Sequence, residues 1–272
     1  MRLAMGLGVL AGAVSPVFAA GMQASPHAWH EHAHHKKHNP NVLWHLISKC
    51  RASALRVGYP PHPCVEVDDP MHPAEGYGVL KDLAGRYQYL VMPLARITGI
   101  ESPLLLAPAA PNYFADAWPA RLYVEAALHH RVPRDQLALV VNSIDGRSQN
   151  QLHIHVDCIK PSVHQALLDM RASLTTQWQP LPRPLPPNGH HYVARWVDGA
   201  TLSVNPFKSL AASLPAGDRM ALHSLIAVGA YAADGKPGFI LLSGRVNKRT
   251  GDVGSGDELH DLSCAIATSH GH

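Results

Sequence analysis

The chain has almost no excess of charge: 23 lysines and arginines stand against 20 aspartates and glutamates, a formal +3 at neutral pH. Its basic residues are scattered rather than massed, which argues against the contiguous basic face that nucleic-acid binding requires. Beyond the first residues no stretch is apolar for long enough to span a bilayer. Cysteine is scarce, with 4 residues, and no pair of them is in CxxC spacing, which argues against a zinc site built from thiolates. Length excludes little. At 272 residues the chain can bury a sizeable core as one large domain or two smaller ones.

The N-terminus reads as an export signal over residues 1–20. Arg2 supplies a short basic region, Leu3 to Val14 an apolar one, and Val17-Phe18-Ala19 a small-residue cleavage pattern. Pro16 and several glycines interrupt the apolar run. The segment is either cleaved near Ala19 or Ala20 or kept as an anchor, so the protein is expected in the periplasm, soluble or attached to the inner membrane. Residues 21–40 follow as a polar, disordered segment. Within it His27, His30, His32, His34, His35 and His38 offer weak metal binding. In an oxidising compartment an even number of cysteines predicts two disulfides, with three possible pairings. Proximity in sequence favours Cys50 with Cys64, a loop contributing about 3 kcal/mol on the chain-entropy model. Cys158 with Cys264 would then tie the C-terminus to the middle of the chain.

Folded structure is expected from residue 41, with Asn41 capping a helix that carries Val42, Leu46, Ile47 and Cys50. Strand-like runs at 76–81 and 87–92 flank Asp82-Leu-Ala-Gly85, which reads as a hairpin turn. A helix near 112–131 starts at Asn112 and must break at Pro119. Strands at 137–142 and 150–159 come next, then a helix from 163 to 179. The proline-rich run 180–187 reads as a linker. Beyond it are a strand at 192–197, a helix at 206–212, an ambiguous run at 221–231, a strand at 239–242 and a Gly/Asp loop at 249–257. Helices among strands in this order predict an α+β fold. The second part loosely repeats the first.

The most informative stretch is Asn150-Gln151-Leu152-His153-Ile154-His155-Val156-Asp157-Cys158-Ile159. It alternates strictly, so Gln151, His153, His155 and Asp157 share one face of a strand, and Leu152, Ile154, Val156 and Cys158 share the other. Two imidazoles then stand about 7 Å apart along the strand. Such a pair can bind a metal, or one ring can act as nucleophile while the other positions a phosphate. A neutral imidazole attacking phosphorus needs its second nitrogen held by an acceptor, and the transferred group needs donors. Asn142, Ser148, Gln149 and Asn150 lie just upstream as candidates, with Asp82 and Lys81 nearer the hairpin. Arg96 and Lys160 are further cations that could meet phosphate. Leu104-Leu105-Leu106 and Trp118 are apolar candidates for a lipid-facing surface, although ordinary core is the simpler reading of them.

A set of ordered pieces resembles the CDP-diacylglycerol diphosphatase family of the histidine-triad superfamily. They are Tyr77-Gly-Val-Leu-Lys-Asp82, Gln88-Tyr-Leu-Val-Met-Pro93, Arg96-Ile97, Glu101-Ser-Pro-Leu104, Asn142-Ser143, Gly146-Arg147, Gln149-Asn150 and His153-Ile-His155 followed by Cys158-Ile159. The cysteine positions and Asn205-Pro206-Phe207 fit as well, so the likeness covers nearly everything after residue 41. The resemblance implies an antiparallel histidine-triad-like sheet with helices, in two halves at 41–180 and 181–272, of which only the first is catalytically equipped. It implies cofactor-free, metal-independent hydrolysis of the CDP-diacylglycerol pyrophosphate to CMP and phosphatidate, at a membrane surface, through a nucleotidyl-histidine intermediate. By the same resemblance His153 is the nucleophile and His155 and Asn142 are its catalytic companions. Ser148, Gln149, Asn150, Gln151, Asp82 and Lys81 are expected to bind substrate. The chain departs from the superfamily at Gln151, where a first histidine usually stands.

Two other readings are open. One keeps the fold and acts on soluble nucleotide derivatives. The other is a periplasmic metal-binding protein using the N-terminal histidines with His153 and His155 as ligands. A histidine nucleophile predicts that activity falls in acid as the ring protonates, and with an ordinary imidazole that fall is complete well above about pH 4.

Overall fold

Alternating apolar residues assemble into one antiparallel sheet of nine strands in a computed structural model that describes residues 39–56 and 60–268. The export signal and the six N-terminal histidines lie outside the described residues. Among the described residues no helix is long and apolar enough to cross a membrane. The strands are β1 (Glu66–Asp68), β2 (Tyr77–Lys81), β3 (Tyr89–Pro93), β4 (Leu137–Val141), β5 (Ile154–Cys158), β6 (Gln179–Pro180), β7 (Tyr192–Asp198), β8 (Leu225–Tyr231) and β9 (Pro237–Gly244). The order across the sheet is β1-β2-β3-β5-β4-β8-β9-β7-β6. Apart from the edge strand β1, β2-β3-β5-β4 and β6-β7-β9-β8 follow the same plan read inward, and they meet where β4 pairs with β8.

Helices cover both faces. Behind the sheet, α2 (Tyr113–Ala117), α3 (Arg121–Leu128) and α5 (Pro206–Ala211) bury Phe114, Val124 and Phe207 against Leu139, Val156, Ala227 and Leu241. Phe114 and Phe207 meet edge to face with ring centres 5.1 Å apart, a favoured quadrupole arrangement. In front, α1 (Val42–Ala54) packs Ile47 and Cys50 on Leu80, Leu90 and Met92 at one end. At the other end α4 (Pro161–Met170) lays Val163, Leu167 and Met170 over Val140, Ile226 and Leu242. The front face is therefore closed at both ends and open between them. A short α6 (Ala265–Thr268) follows Cys264.

The predicted disulfides form: Cys50 with Cys64 and Cys158 with Cys264, at Cα separations of 5.5 and 5.2 Å. Asn112 caps α2 by accepting from Ala115 N, and Pro119 breaks the expected long helix into α2, a 3-10 turn and α3. Several expectations need correction. Asn41 stands at the start of α1 but makes no capping bond, because its side chain accepts from Arg96 instead. The helix expected to reach 179 ends at Met170 and a 3-10 turn at Arg171–Ser173. The Thr175 hydroxyl takes the Gln177 amide, a local bond that competes with helix. The run 180–187 is no linker. β6 joins the sheet edge, where proline is tolerated, and Leu181 and Leu185 are buried. The ambiguous run at 221–231 supplies β8, and the three-residue β1 went unforeseen.

Truncating Phe114 removes a fully buried ring from the layer behind the sheet. Phe114→Ala should cost about 3–5 kcal/mol in urea unfolding, and a loss under about 1 kcal/mol would contradict its place in a packed core.

Candidate active site

One row of side chains crosses the front of the sheet through paired positions: Leu80, Leu90, His155, Val140, Ile226, Leu242 and Ala194. A single imidazole interrupts six aliphatic side chains, at the uncovered part of the face. Counted outward from the central Val140–Ile226 pair, Leu242 holds in β9 the place that His155 holds in β5. The predicted alternation is present on the other side too, where Leu152, Ile154, Val156 and Cys158 all enter the core.

The ladder stops just short of the second histidine. β5 begins at Ile154, and the preceding residues bend away, with Leu152 N donating to Ile97 O at 2.6 Å. The bend is held by Gln151, whose buried amide nitrogen donates to Pro93 O and Ala95 O at 2.9 and 3.0 Å. In this bend the carbonyl of Gln151 lies 2.7 Å from Nδ1 of His153. A carbonyl only accepts, so Nδ1 carries the proton and Nε2 carries the lone pair. His153 and His155 meet edge to face, ring centres 4.8 Å apart.

His155 is engaged at both nitrogens. Nδ1 lies 3.3 Å from Gln88 Oε1, and Nε2 lies 3.4 Å from Asp257 Oδ2, an ion-pair distance without hydrogen-bond alignment. Asp257 also accepts from Asn142 Nδ2 at 2.6 Å, and its Oδ1 lies 3.6 Å from His260 Nδ1. Burial pushes the His153 imidazole down from 6.5 to about 4, helped by the neighbouring His155 and opposed by the Gln151 carbonyl and Asp257. Burial also lowers His155, with Asp257 opposing. Burial alone would raise the Asp257 carboxyl. Its attraction to His155 and His260 and the bond from Asn142 outweigh that and hold it ionised, well below the usual carboxylate range. Asp157, next on the same face, is fully buried and pushed up to about 6 by burial.

His153 and His155 lie on the wall of a cleft of about 690 Å³. The predicted Lys81, Asp82, Ser148 and Gln149 line it, as does Lys160. Lys81 Nζ donates to Asp82 O and Gly85 O and so braces the hairpin. The Gln149 amide holds the start of α1, donating to Asn39 O and accepting from Leu43 N. Asn142 meets the cleft through Asp257 rather than on its wall. Asn150 and Gln151 were expected on substrate, but neither lines the cleft: Asn150 is exposed on the loop, and the Gln151 amide nitrogen is occupied by backbone carbonyls. Arg96 reaches Asn41 and stacks on Trp44. Leu105 and Trp118 are core residues behind the sheet, away from the cleft. Its apolar wall comes instead from Val42, Leu43, Leu46, Leu83 and Leu262.

Sequence reasoning missed Gln88, Asp257 and His260. Asp257 arrives on a 3-10 turn (Gly256–Leu259) inside what read as a featureless Gly/Asp loop. One signal pointed to it. A Cys158–Cys264 bridge brings the residues before Cys264 beside the histidine strand. As for a metal, the one group of three close donors among the described residues is Asp157, Cys158 and Cys264, and those sulfurs are bonded to each other rather than available as thiolates.

Residues 38–268 match the profile of the CDP-diacylglycerol pyrophosphatase family. A CDP-diacylglycerol pyrophosphatase of Yersinia pestis is 38% identical over 230 residues, which cover 84% of this chain and 85% of that protein.

The lowered imidazole has a consequence for stability. Below 6.5 an unfolded His153 takes up a proton that the folded site refuses until about pH 4. Its contribution is therefore complete above pH 6.5 and shrinks as pH falls toward 4, by on the order of 3 kcal/mol. Urea unfolding of wild type and His153→Gln should converge across that window. Curves that stay parallel would show that His153 is not buried neutral.

Proposed function

Because this chain belongs to the CDP-diacylglycerol pyrophosphatase family, we propose that it hydrolyses the pyrophosphate bond of CDP-diacylglycerol to CMP and phosphatidate, with His153 as nucleophile. The observation that carries this is the bond from His153 Nδ1 to the Gln151 carbonyl, which leaves Nε2 as the free nucleophilic nitrogen in the cleft wall. Nε2 attacks the cytidine-side phosphorus in line, an N–P bond forms, and the bridging P–O bond breaks with its electron pair leaving on phosphatidate. That product is stable as an anion, so departure needs little acid catalysis. The ring turns cationic, and its Nδ1–H bond to Gln151 becomes charge-assisted. Water then attacks phosphorus and gives up a proton to solvent, the N–P pair returns to Nε2, and CMP leaves. Lys81, Lys160 and Ser148 are suited to the phosphates and Asp82 to the ribose edge, whereas the Gln149 amide is engaged with the start of α1.

The apolar wall suits the diacylglycerol. Leu83 at the hairpin tip is fully exposed, and Val42 and Leu262 are nearly half exposed, so the rim can rest on a membrane surface. Residues 1–20 would export the protein and, if kept, hold it there. The strand plan repeated about the β4–β8 pair supports two histidine-triad-like halves, with the boundary before β6 rather than at residue 181. In the second, Leu242 stands in the place of His155 and α4 covers it, which suits a half without chemistry.

In EDTA, wild type should release CMP from CDP-diacylglycerol and His153→Ala should not; unchanged release by the variant would remove the nucleophile assignment. Because burial lowers His153 to about 4, the acid limb of kcat/KM should lie well below the 6.5 of an ordinary imidazole. Survival of activity at pH 5 is thus expected of this histidine. Leu83→Asp should reduce turnover of the lipid in vesicles by about tenfold and leave a soluble CDP-alcohol unaffected, since it removes apolar rim contact only. Equal losses on both substrates, or a wild type that prefers the soluble one, would favour a hydrolase of soluble nucleotides.

A further inference from the structure

We propose that Asp257 is a positioning residue for the histidine pair, fixing the His155 ring and the Asn142 amide with one carboxylate brought from the C-terminal part of the chain. Asp257 Oδ2 serves both, at 2.6 Å from Asn142 Nδ2 and 3.4 Å from His155 Nε2, and the Asp257 backbone N–H points at Asn142 Oδ1 at 3.4 Å. Asn142 is thereby locked in one amide orientation, with its second N–H left for another acceptor.

The placement of this carboxylate is enforced from several sides. Ser143 N donates to Gly254 O and Ser143 Oγ to Val253 O, which fastens the segment to the end of β4. Lys160 N donates to Leu259 O, Asp261 N to Cys158 O, and the Cys158–Cys264 bridge follows, which fastens it to the end of β5. Between these anchors Gly256 lies so close to the sheet that a Cβ would meet Val140 Cγ1 at 2.7 Å. The residue after it is thus brought to the histidines by a close backbone approach that leaves no room for a side chain at 256.

The choice of an acid is informative. An asparagine could accept the same bond from Asn142 without bringing a negative charge to a site proposed to receive pyrophosphate. A charge is useful only opposite a group that can be a cation, and His155 is that group. With Gln88 Oε1 at Nδ1 and this carboxylate 3.4 Å from Nε2, the ring faces an acceptor at each nitrogen, so the carboxylate favours the doubly protonated ring and holds it by charge rather than by an aligned hydrogen bond. His260, Asp82 and His153 are the other titratable groups acting on or beside His155, and His260 shares Asp257.

The kinetic part of the test rests on the hydrolase reading, and the titration part stands without it. Asp257→Asn, compared with Asp257→Glu and with each change in a His155→Gln background, separates the roles. Asp257→Asn should lower kcat for CMP release at least about tenfold with KM nearly unchanged. It should also lower the pH at which the His155 imidazole resonances titrate, and Asp257→Glu should restore that titration and part of kcat. With His155→Gln already present, Asp257→Asn should add little. Wild-type kcat and an unmoved His155 titration in Asp257→Asn would overturn the proposal, as would a full additional loss in the double variant. If the Asn variant does not fold, the Glu variant decides by the same two readouts. A wild type that releases no CMP would sink the hydrolase reading alone, and the titration would still decide the role of Asp257.

Discussion

One hydrogen bond organises the site: Nδ1 of His153 to the carbonyl two residues earlier. In a regular strand that carbonyl would belong to the ladder and point sideways at a neighbour. It is available because the chain leaves the ladder at residue 153, and it leaves because Gln151 anchors to Pro93 and Ala95. Gln151 is therefore an element of backbone architecture here. It shapes the bend from which His153 receives its tautomer.

Much of this was legible in residues 150–159. Strict alternation placed the two imidazoles together, and the structure keeps them on one face with their apolar neighbours in the core. Cap and breaker residues were read correctly where their action is local, as at Asn112 and Pro119. The errors arose where distant contacts decided the matter. Asn41 was offered a better partner in Arg96 than its own helix. The prolines after residue 179 looked like a linker, yet Leu181 and Leu185 had a core to fill. Asp257 and Gln88 share no local pattern with the histidines, and both reach His155 directly from segments distant in sequence.

The arrangement of helices explains why the cleft lies where it does. Behind the sheet the cover is continuous, but in front α1 and α4 sit at opposite ends. The row from Leu80 to Ala194 would be an unbroken aliphatic strip if His155 were a leucine, and α4 closes that strip over Leu242. The same surface is a core under α4 and a cleft wall beyond it. What distinguishes the two is one polar substitution and the absence of a lid.

The C-terminal wall of the cleft also imposes an order in time. A ribosome makes His153 and His155 more than a hundred residues before it makes Asp257, and the bridge that secures this wall needs Cys264. A chain stopped before residue 256 would contain both histidines and all nine strands of the sheet, yet its cleft would be open on one side and Asn142 would lack its partner. The cleft is thus finished last, by a segment that follows every strand of the sheet in the chain.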